Sequence, residues 1–573
     1  MKGAKMKGRI SRLCVCAVAM FAIAPAEAVK VDYAIRADSP FVLVPVSNAG
    51  PLDNHLVIFD GESRVRFWKL AWADGKADWY ASLDLGEWAG RTLSFHLFGK
   101  SDAEAKKALG RLRFAAKPEL PADVYDEPQR AQLHLTPTLG WSNDPNGLSY
   151  YNGEYHVFYQ HNPCGRKSKN MTWGHFVSKD LVHWTDHGDA IHPDNLGMMF
   201  SGSAVTDLEG TAGFGKNAHV LAYTAAGVPV VQCLAGSQDG RRYKKLAANP
   251  VLGNITVGNR DPRVFWHAPT KKWVLCLFVG DFEKDGAKWH TVHIFTSPDL
   301  RNWTLADVVL GGRSSPPPVS SFLAECPELV ELKVAGTDES RWVLFGGTGM
   351  YGIGTFDGSK FVAEEMNVKA PWNFQVSGGG GFYAAQTFSD APKGRTVWLP
   401  WMRLRTDDDA SFTQGFGIPM ALSLKRTAEG LRMAFDPVEE YETLRDGEAV
   451  PFEAFEGELA EVFFEAKVGP DAVVTLDLRG EKLVYDAVKG TLSLRSSTLN
   501  RPETAYRWTA PNGRLALRLF VDRFGLEVLS DDGLQFVPFC DFWPSAKNRS
   551  ISHAATGHVG DVKARAYRLK SIW

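Results

Sequence analysis

Ser178-Lys179-Asp180-Leu181-Val182-His183-Trp184 sets an acid two residues after a serine and an aromatic four residues after the acid. The spacing recurs as Ser237, Asp239 and Tyr243, as Ser297, Asp299 and Trp303, and without the serine as Asp357 and Phe361. The four acids stand 59, 60 and 58 residues apart. Pairs of strand-like runs precede them, such as Trp273-Val-Leu-Cys-Leu-Phe278 with His290-Thr-Val-His-Ile-Phe-Thr296. Each unit also opens on a strand-like run: Gly147 to Tyr151, Gly202 to Thr206, Pro262 to Trp266, Pro327 to Glu331 and Tyr383 to Phe388. Unrelated hairpins would not keep such a period. Five units of about sixty residues, each with about four strands, predict a five-bladed β-propeller over residues 131–445.

A propeller brings the innermost strand of every blade to one axis, all running the same way. The residues at those strand entrances therefore ring one rim. In order they are Asn143-Asp144, Phe200-Ser201-Gly202, Arg260-Asp261, Glu325-Cys326 and Gly380-Gly381-Phe382. The first lies in Trp141-Ser142-Asn143-Asp144-Pro145-Asn146-Gly147, expected to form a stiff turn before the strand Leu148-Ser149-Tyr150-Tyr151. Proline pushes the residue before it out of the helical region, so Asp144 is held extended; Gly147 and the two asparagines suit a turn. Three converging carboxylates suit attack at an anomeric carbon, with one nucleophile, one proton donor and one group that stabilises the sugar. Phosphoryl transfer would want a Gly-Lys phosphate cradle, and a serine hydrolase a G-x-S-x-G elbow; neither pattern is present.

The 573 residues exceed what one core holds. Residues 1–28, with a basic start, an apolar run from Leu13 to Ala24 and Ala26-Glu27-Ala28, read as an export signal cleaved after Ala28. That run is too short to span a bilayer, so the mature chain is expected to be exported, periplasmic or extracellular, with no membrane-spanning segment. A formal charge of −2 offers no field for nucleic acid. Outside the signal, Cys164, Cys233, Cys276, Cys326 and Cys540 are odd in number and scattered, which is neither a disulfide framework nor a zinc site. Residues 29–120 read as a small β domain whose Trp68, Trp72, Trp79 and Trp88 fill a sandwich core or form a sugar-stacking face. Residues 121–130 read as a linker, and 446–573, with short alternating strands, as a C-terminal β-sandwich.

Six motifs in order carry a resemblance: Trp141 to Gly147, Phe158-Tyr-Gln-His-Asn-Pro163, Trp173-Gly-His175, Phe200-Ser-Gly-Ser-Ala204, Arg260-Asp-Pro262 and Glu325-Cys-Pro327. Together they resemble glycoside hydrolase family 32, which comprises invertases, inulinases, levanases and fructosyl-transferring relatives. Asp522-Arg-Phe-Gly-Leu-Glu-Val528 with Asp531-Asp-Gly533 resembles the family's sandwich domain. The resemblance implies an all-β enzyme, a five-bladed propeller followed by a sandwich, that needs no metal or cofactor. It implies Asp144 as nucleophile, Glu325 as acid then base, and Asp261 as transition-state stabiliser, in a retaining double displacement. Asn143, Gln160, Trp173, Phe200, Ser201, Arg260 and Tyr383 would hold the fructose or shape its pocket. Trp173 could equally pack between strands, Cys326 reads as a small buried neighbour of the acid, and His134 and His175 as structural.

Where the family commonly carries an acid before the Phe-Tyr-Ala of its fifth unit, Gly378-Gly-Gly-Gly381 precedes Phe382-Tyr383-Ala384. Linkage preference therefore does not transfer, and the expected substrate is a fructan of levan or inulin type, with sucrose as a further one. Fructosyl transfer, an inverting arabinan- or xylan-cleaving hydrolase and a non-catalytic fructan-binding protein are the alternatives. The inverting enzyme would set its carboxyl pair roughly 6.5–9.5 Å apart instead of about 5–5.5 Å.

Overall fold

The computed structural model describes residues 29–313, 322–373, 381–407, 409–496 and 503–573. The stretch read as an export signal, and Gly378 to Gly380, lie outside them.

The repeated acids are turn formers. Asp180 Oδ1 accepts the N–H groups of Val182 and His183 at 3.0 and 2.8 Å. Asp239 does the same for Arg241 and Arg242, Asp299 for Arg301 and Asn302, and Asp357 for Ser359 and Lys360. An aspartate that caps two amides fixes a tight reversal, and the aromatic then starts or just precedes the outermost strand of its sheet. Trp184 begins the strand Trp184–Ile191, and Phe361 begins Phe361–Val368. The period is thus one turn per blade.

Five such sheets make the five-bladed propeller, with inner strands Gly140–Tyr151, Met198–Asp207, Gly258–His267, Glu328–Lys333 and Phe382–Thr387. The ring closes where Phe412–Thr413, from the last blade, pairs in parallel with Gly140 and Trp141 of the first. Trp141 to Gly147 is not a turn ahead of a strand, as expected, but part of the inner strand itself. The ladder breaks twice there, between Ser142 and Pro145 and between Asn146 and Ser149.

Before the propeller, a four-stranded sheet (Val29–Ala34, Asn54–Asp60, Ser63–Leu70, Thr92–Phe98) and a three-stranded one (Phe41–Val46, Trp79–Asp84, Arg113–Ala115) share one apolar core. Trp68, Trp72, Trp79 and Trp88 are buried in that core, so none presents a stacking face. A helix, Asp102–Leu109, was not anticipated; Ser101-Asp-Ala-Glu104 starts it, with the Glu104 carboxylate accepting the Ser101 N–H at 3.1 Å. Residues 121–130 carry no strand, yet they are not a loose tether. Arg130 is fully buried and donates to Thr136 Oγ1 at 2.9 Å and to the carbonyls of Pro137 and Thr138.

After the propeller, six- and five-stranded sheets pack into a sandwich whose core is continuous with that of the propeller. Asp522 fastens the two. Its carboxylate accepts the N–H groups of Gln132, Leu133 and His134 and lies 2.7 Å from His134 Nδ1, with Glu527 Oε1 3.3 Å from Nε2. Burial alone would lower the His134 pKa, but the two carboxylates outweigh it and raise it from 6.5 to about 9. A raised histidine stabilises the fold fully below its unfolded value and loses that contribution as pH climbs through the folded value. Wild-type thermal stability should therefore decline between pH 6.5 and 9, by up to about 3 kcal/mol from this group. His134→Gln should be less stable at pH 6.5 and show a flatter decline. An unchanged slope in the variant, followed by calorimetry across that range, would remove His134 as the cause.

Candidate active site

Proline has no N–H to give a ladder, so an inner strand carrying one must break its pairing there. Pro145 and Pro262 follow Asp144 and Asp261, and Pro327 follows Cys326. Register shifts fall between Ser142 and Pro145, Phe200 and Gly202, Arg260 and Arg263, and Tyr383 and Gln386. In four blades the inner strand is thus bulged at the residue of interest, and in the fourth blade Glu325 stands just ahead of its strand. A bulge re-aims side chains that pleating would send up and down the sheet. Asp261, Glu325, Cys326 and Ala384 have φ of +63°, +59°, +43° and +50°, backbone that side-chain-bearing residues seldom adopt. Gly147, at φ +53°, has no such freedom to spare: a Cβ there would stand 2.7 Å from the Phe158 ring.

These bulges bring five blades together. Ser201 Oγ donates to Asp144 Oδ2 at 2.6 Å, and Gln160 Nε2 reaches Ser201 Oγ at 2.5 Å. Asn143 Nδ2 lies 3.3 Å from both Asp144 Oδ1 and Gln160 Oε1, while the Trp141 indole donates to Asn143. Cys326 joins two of the acids, its Sγ 3.6 Å from Asp144 Oδ2 and from Asp261 Oδ2, and its backbone N–H donates to Asp261 at 2.9 Å. Arg260 joins the third, with Nη2 2.7 Å from Glu325 Oε1 and Nε 3.8 Å from Asp261. The other Glu325 oxygen accepts the Tyr383 hydroxyl.

The acids differ in charge preference. Burial raises Asp144 to about 6, reinforced by the charge of Glu325 and opposed by the Ser201 and Asn143 hydrogen bonds. Burial raises Asp261 to about 7, with Arg260 opposing and the other two carboxylates adding to the rise. For Glu325 burial also favours the neutral form, but Arg260 and Tyr383 outweigh it and hold the carboxyl below its ordinary value. Burial thus favours the neutral form of the two aspartates more than that of Glu325, and three carboxyls so close titrate as a unit.

Trp173 is fully buried between Phe158 and Tyr223, its indole N–H on the Phe200 carbonyl at 3.1 Å. It packs behind the pocket wall and offers no ring face; Phe200 itself is half-buried. His175 stacks on Phe158, and burial holds its pKa well below 6.5. Cys326 is buried beside the acids, and Cys164, Cys233, Cys276 and Cys540 are free and buried as well. Glu328 points into the protein, on Arg263 at 2.8 Å. Gly381 is buried and has φ +151°, a backbone that a residue with a Cβ seldom adopts. Sequence reasoning missed Thr224, whose Oγ1 accepts the Asp261 N–H at 3.0 Å, Phe278 under the Arg260 guanidinium at 4.8 Å, and Arg403 over the Tyr383 ring at 4.9 Å. Thr224 pairs with Phe200 on the neighbouring strand, a relation only the register discloses. A cavity of about 690 Å³, lined by Asp207, Trp266 and Thr387 among others, opens at the far ends of the inner strands, away from the acids.

The family model described as "Glycosyl hydrolases family 32 N-terminal domain" matches residues 134–434. The chain belongs to glycosyl hydrolase family 32. Within this glycoside hydrolase family it is 36% identical to a levanase of Bacillus subtilis (strain 168), over 79% of this chain and 72% of that one. It is 29% identical to an extracellular exo-inulinase of Aspergillus awamori, over 78% and 96%. The crystal structure of exo-inulinase from Aspergillus awamori superposes with a TM-score of 0.67 at 27% identity, covering 78% of this chain and all (100%) of that one.

A family 32 reaction that needs Asp144 ionised should rise in kcat/KM as pH passes through about 6. Ser201→Ala removes a bond that favours the carboxylate, so the acidic limb should move to higher pH, with a larger loss of activity at pH 5 than at pH 7. A limb that stayed in place or moved down would show that Ser201 does not tune this group.

Proposed function

We propose that the pocket is that of a retaining β-fructosidase, with Asp144 as nucleophile, Glu325 as acid then base and Asp261 as stabiliser. The observation that carries this reading is the meeting of three carboxyls from three blades, cross-linked by Ser201, Cys326, Arg260 and Tyr383. Asp144 attacks the anomeric carbon while Glu325 protonates the departing oxygen, leaving a fructosyl ester on Asp144. Glu325, now anionic, takes a proton from water, and that water displaces Asp144. Positive charge develops at the anomeric carbon and ring oxygen in both steps, and a nearby Asp261 carboxylate lowers its energy.

This chemistry needs Asp144 ionised and Glu325 protonated, the reverse of what their surroundings in the protein favour. A sugar whose hydroxyls take the hydrogen bonds of Arg260 loosens its hold on Glu325, and exclusion of water favours neutral Glu325 further. Ionised Asp144 then adds its repulsion. Asn143, Gln160 and Ser201 stand where they can position fructose hydroxyls. With a levanase and an exo-inulinase among its relatives, a fructan is the expected substrate, with sucrose as a lesser one. The basic, apolar, Ala-x-Ala start of the chain supports export, and no helix among the described residues is long and apolar enough to cross a membrane.

Asp144→Asn should keep the fold and lower kcat on every fructoside by about 10⁴-fold or more; turnover near wild type would sink the assignment. Hydrolysis in dilute methanol should yield methyl β-fructofuranoside, and the α anomer would instead demand inversion. Levan, inulin and sucrose digested in parallel settle the mode, since fructose alone means exo action and a ladder of oligosaccharides endo action.

A further inference from the structure

The N-terminal pair of sheets is not among the hydrogen-bond partners of the three acids described above, yet two of the propeller segments it holds border the pocket. One, residues 163–171, follows Asn162, whose strand partner is Trp141. The other comprises residues 401–407, with Trp401 and Arg403 beside Tyr383, and residues 409–413, whose Thr413 also pairs with Trp141.

The first segment is held through Asn170. Its Oδ1 accepts the Lys69 N–H at 2.6 Å and its Nδ2 donates to the Lys69 carbonyl at 2.6 Å, a two-way bond to an edge strand. The same Nδ2 lies 2.8 Å from Asn162 Oδ1, so the clamp reaches the strand that carries Gln160. Leu52 sits so close to Gly165 that an added Cβ would stand 2.8 Å from it. The second segment is held through Asn48, which takes the Trp79 indole N–H at 2.7 Å within its own domain and donates to the Ala410 carbonyl at 3.1 Å. Arg166 ties the segments to each other, donating to Thr406 Oγ1 at 2.9 Å and to the Phe412 carbonyl at 3.3 Å. Domain, first segment and second segment form one connected bracket.

Inner-strand bulges set the reacting groups, and the bracket meets them only at their flank, where Thr413 and Asn162 pair with Trp141. What it fixes is the wall between the first and last blades, beside Trp141 and Tyr383. We propose that the N-terminal β domain is a positioning element for this rim, holding the wall that the rest of a polymeric substrate must pass while its terminal or internal fructose reacts. This deepens the β-fructosidase reading and rests on it. A long fructan should feel the wall; sucrose, with a single sugar beyond the scissile bond, should barely do so.

The test is Asn48→Ala with Asn170→Gly in the full chain, glycine being chosen because Asn170 has φ +58°. The expected result is a fall of about ten-fold in kcat/KM on levan or inulin, carried by KM, while kcat on sucrose stays within about two-fold. Asn48→Ala alone is the milder variant, and Asn170→Asp, which keeps the acceptor and loses the donor, should fall between. Equal losses on sucrose and polymer, or no loss on either, would overturn the proposal. Hydrogen exchange supplies a readout independent of substrate. Amides of residues 163–171 and 409–412 should exchange faster in the double variant while those of the inner strands do not, and unchanged rim protection would equally overturn it. A wild-type chain that cleaves no fructoside would instead overturn the functional reading, with exchange still deciding the role of the bracket.

Discussion

Closure of the ring is the constraint on which the rest depends. Phe412 and Thr413 pair with Gly140 and Trp141 ahead of Asp144, and the Gly140 N–H reaches the Ser411 carbonyl at 2.9 Å. Beyond Asp144, Ser389 donates to the Leu148 carbonyl at 2.9 Å and accepts the Tyr150 N–H at 2.8 Å. The last blade therefore grips the first inner strand on both sides of its acid, through the stretch where that strand has lost its own register. A sheet edge that would otherwise stand open is used to hold the strand that carries Asp144.

That grip is needed because the rim is locally unfavourable. Left-handed backbone costs roughly 1–2 kcal/mol for each residue with a Cβ, and Asp261, Glu325, Cys326 and Ala384 all adopt it. Several kcal/mol is a large fraction of the about 5–15 kcal/mol by which folded domains are stable. Drawing three carboxylates out of water adds to the cost, offset by the Ser201 hydroxyl, the Cys326 amide, the Arg260 guanidinium and the Tyr383 hydroxyl. Gly347 links two of the strained residues, donating to the Glu325 carbonyl at 2.8 Å and accepting the Ala384 N–H at 2.9 Å. No single blade could stabilise this arrangement; it follows from five blades that brace one another.

What was legible in the sequence follows the same logic. The Asp-to-aromatic spacing could be read because it is local: an acid capping two amides needs no partner from elsewhere. Asp144, Asp261 and Glu325 could be read because each lies at or near the entrance of an inner strand, whereas the broken ladder that Asp-Pro imposes at Asp144 reads in sequence as a turn. Trp173 could not be placed, since a tryptophan at that register can face either the pocket or the next blade, and only Phe158 and Tyr223 decide which. The helix Asp102–Leu109 had its signals in Ser101 and Glu104, which an expectation of uniform β structure overrode. The distribution of charge was illegible altogether. Arg260 stands next to Asp261 in sequence, yet its shorter contact is to Glu325, 65 residues away.

The outer domains complete the site from behind. On one side Phe536 of the sandwich lies 4.9 Å from Phe382 and 5.7 Å from Phe435, so the strand bearing Tyr383 is backed by the sandwich core. Phe382 and Tyr383 alternate across a strand, so the ring that faces the sandwich fixes the neighbour that meets Glu325. On the other side Asn48 of the N-terminal sheets holds Ala410, next to the Phe412–Thr413 pair that meets Gly140 and Trp141. Tyr383 and Trp141 are therefore fixed from opposite flanks, by parts of the chain that never touch the reacting atoms. The propeller gathers the three acids, and the appended sheets hold the strands and segments beside them.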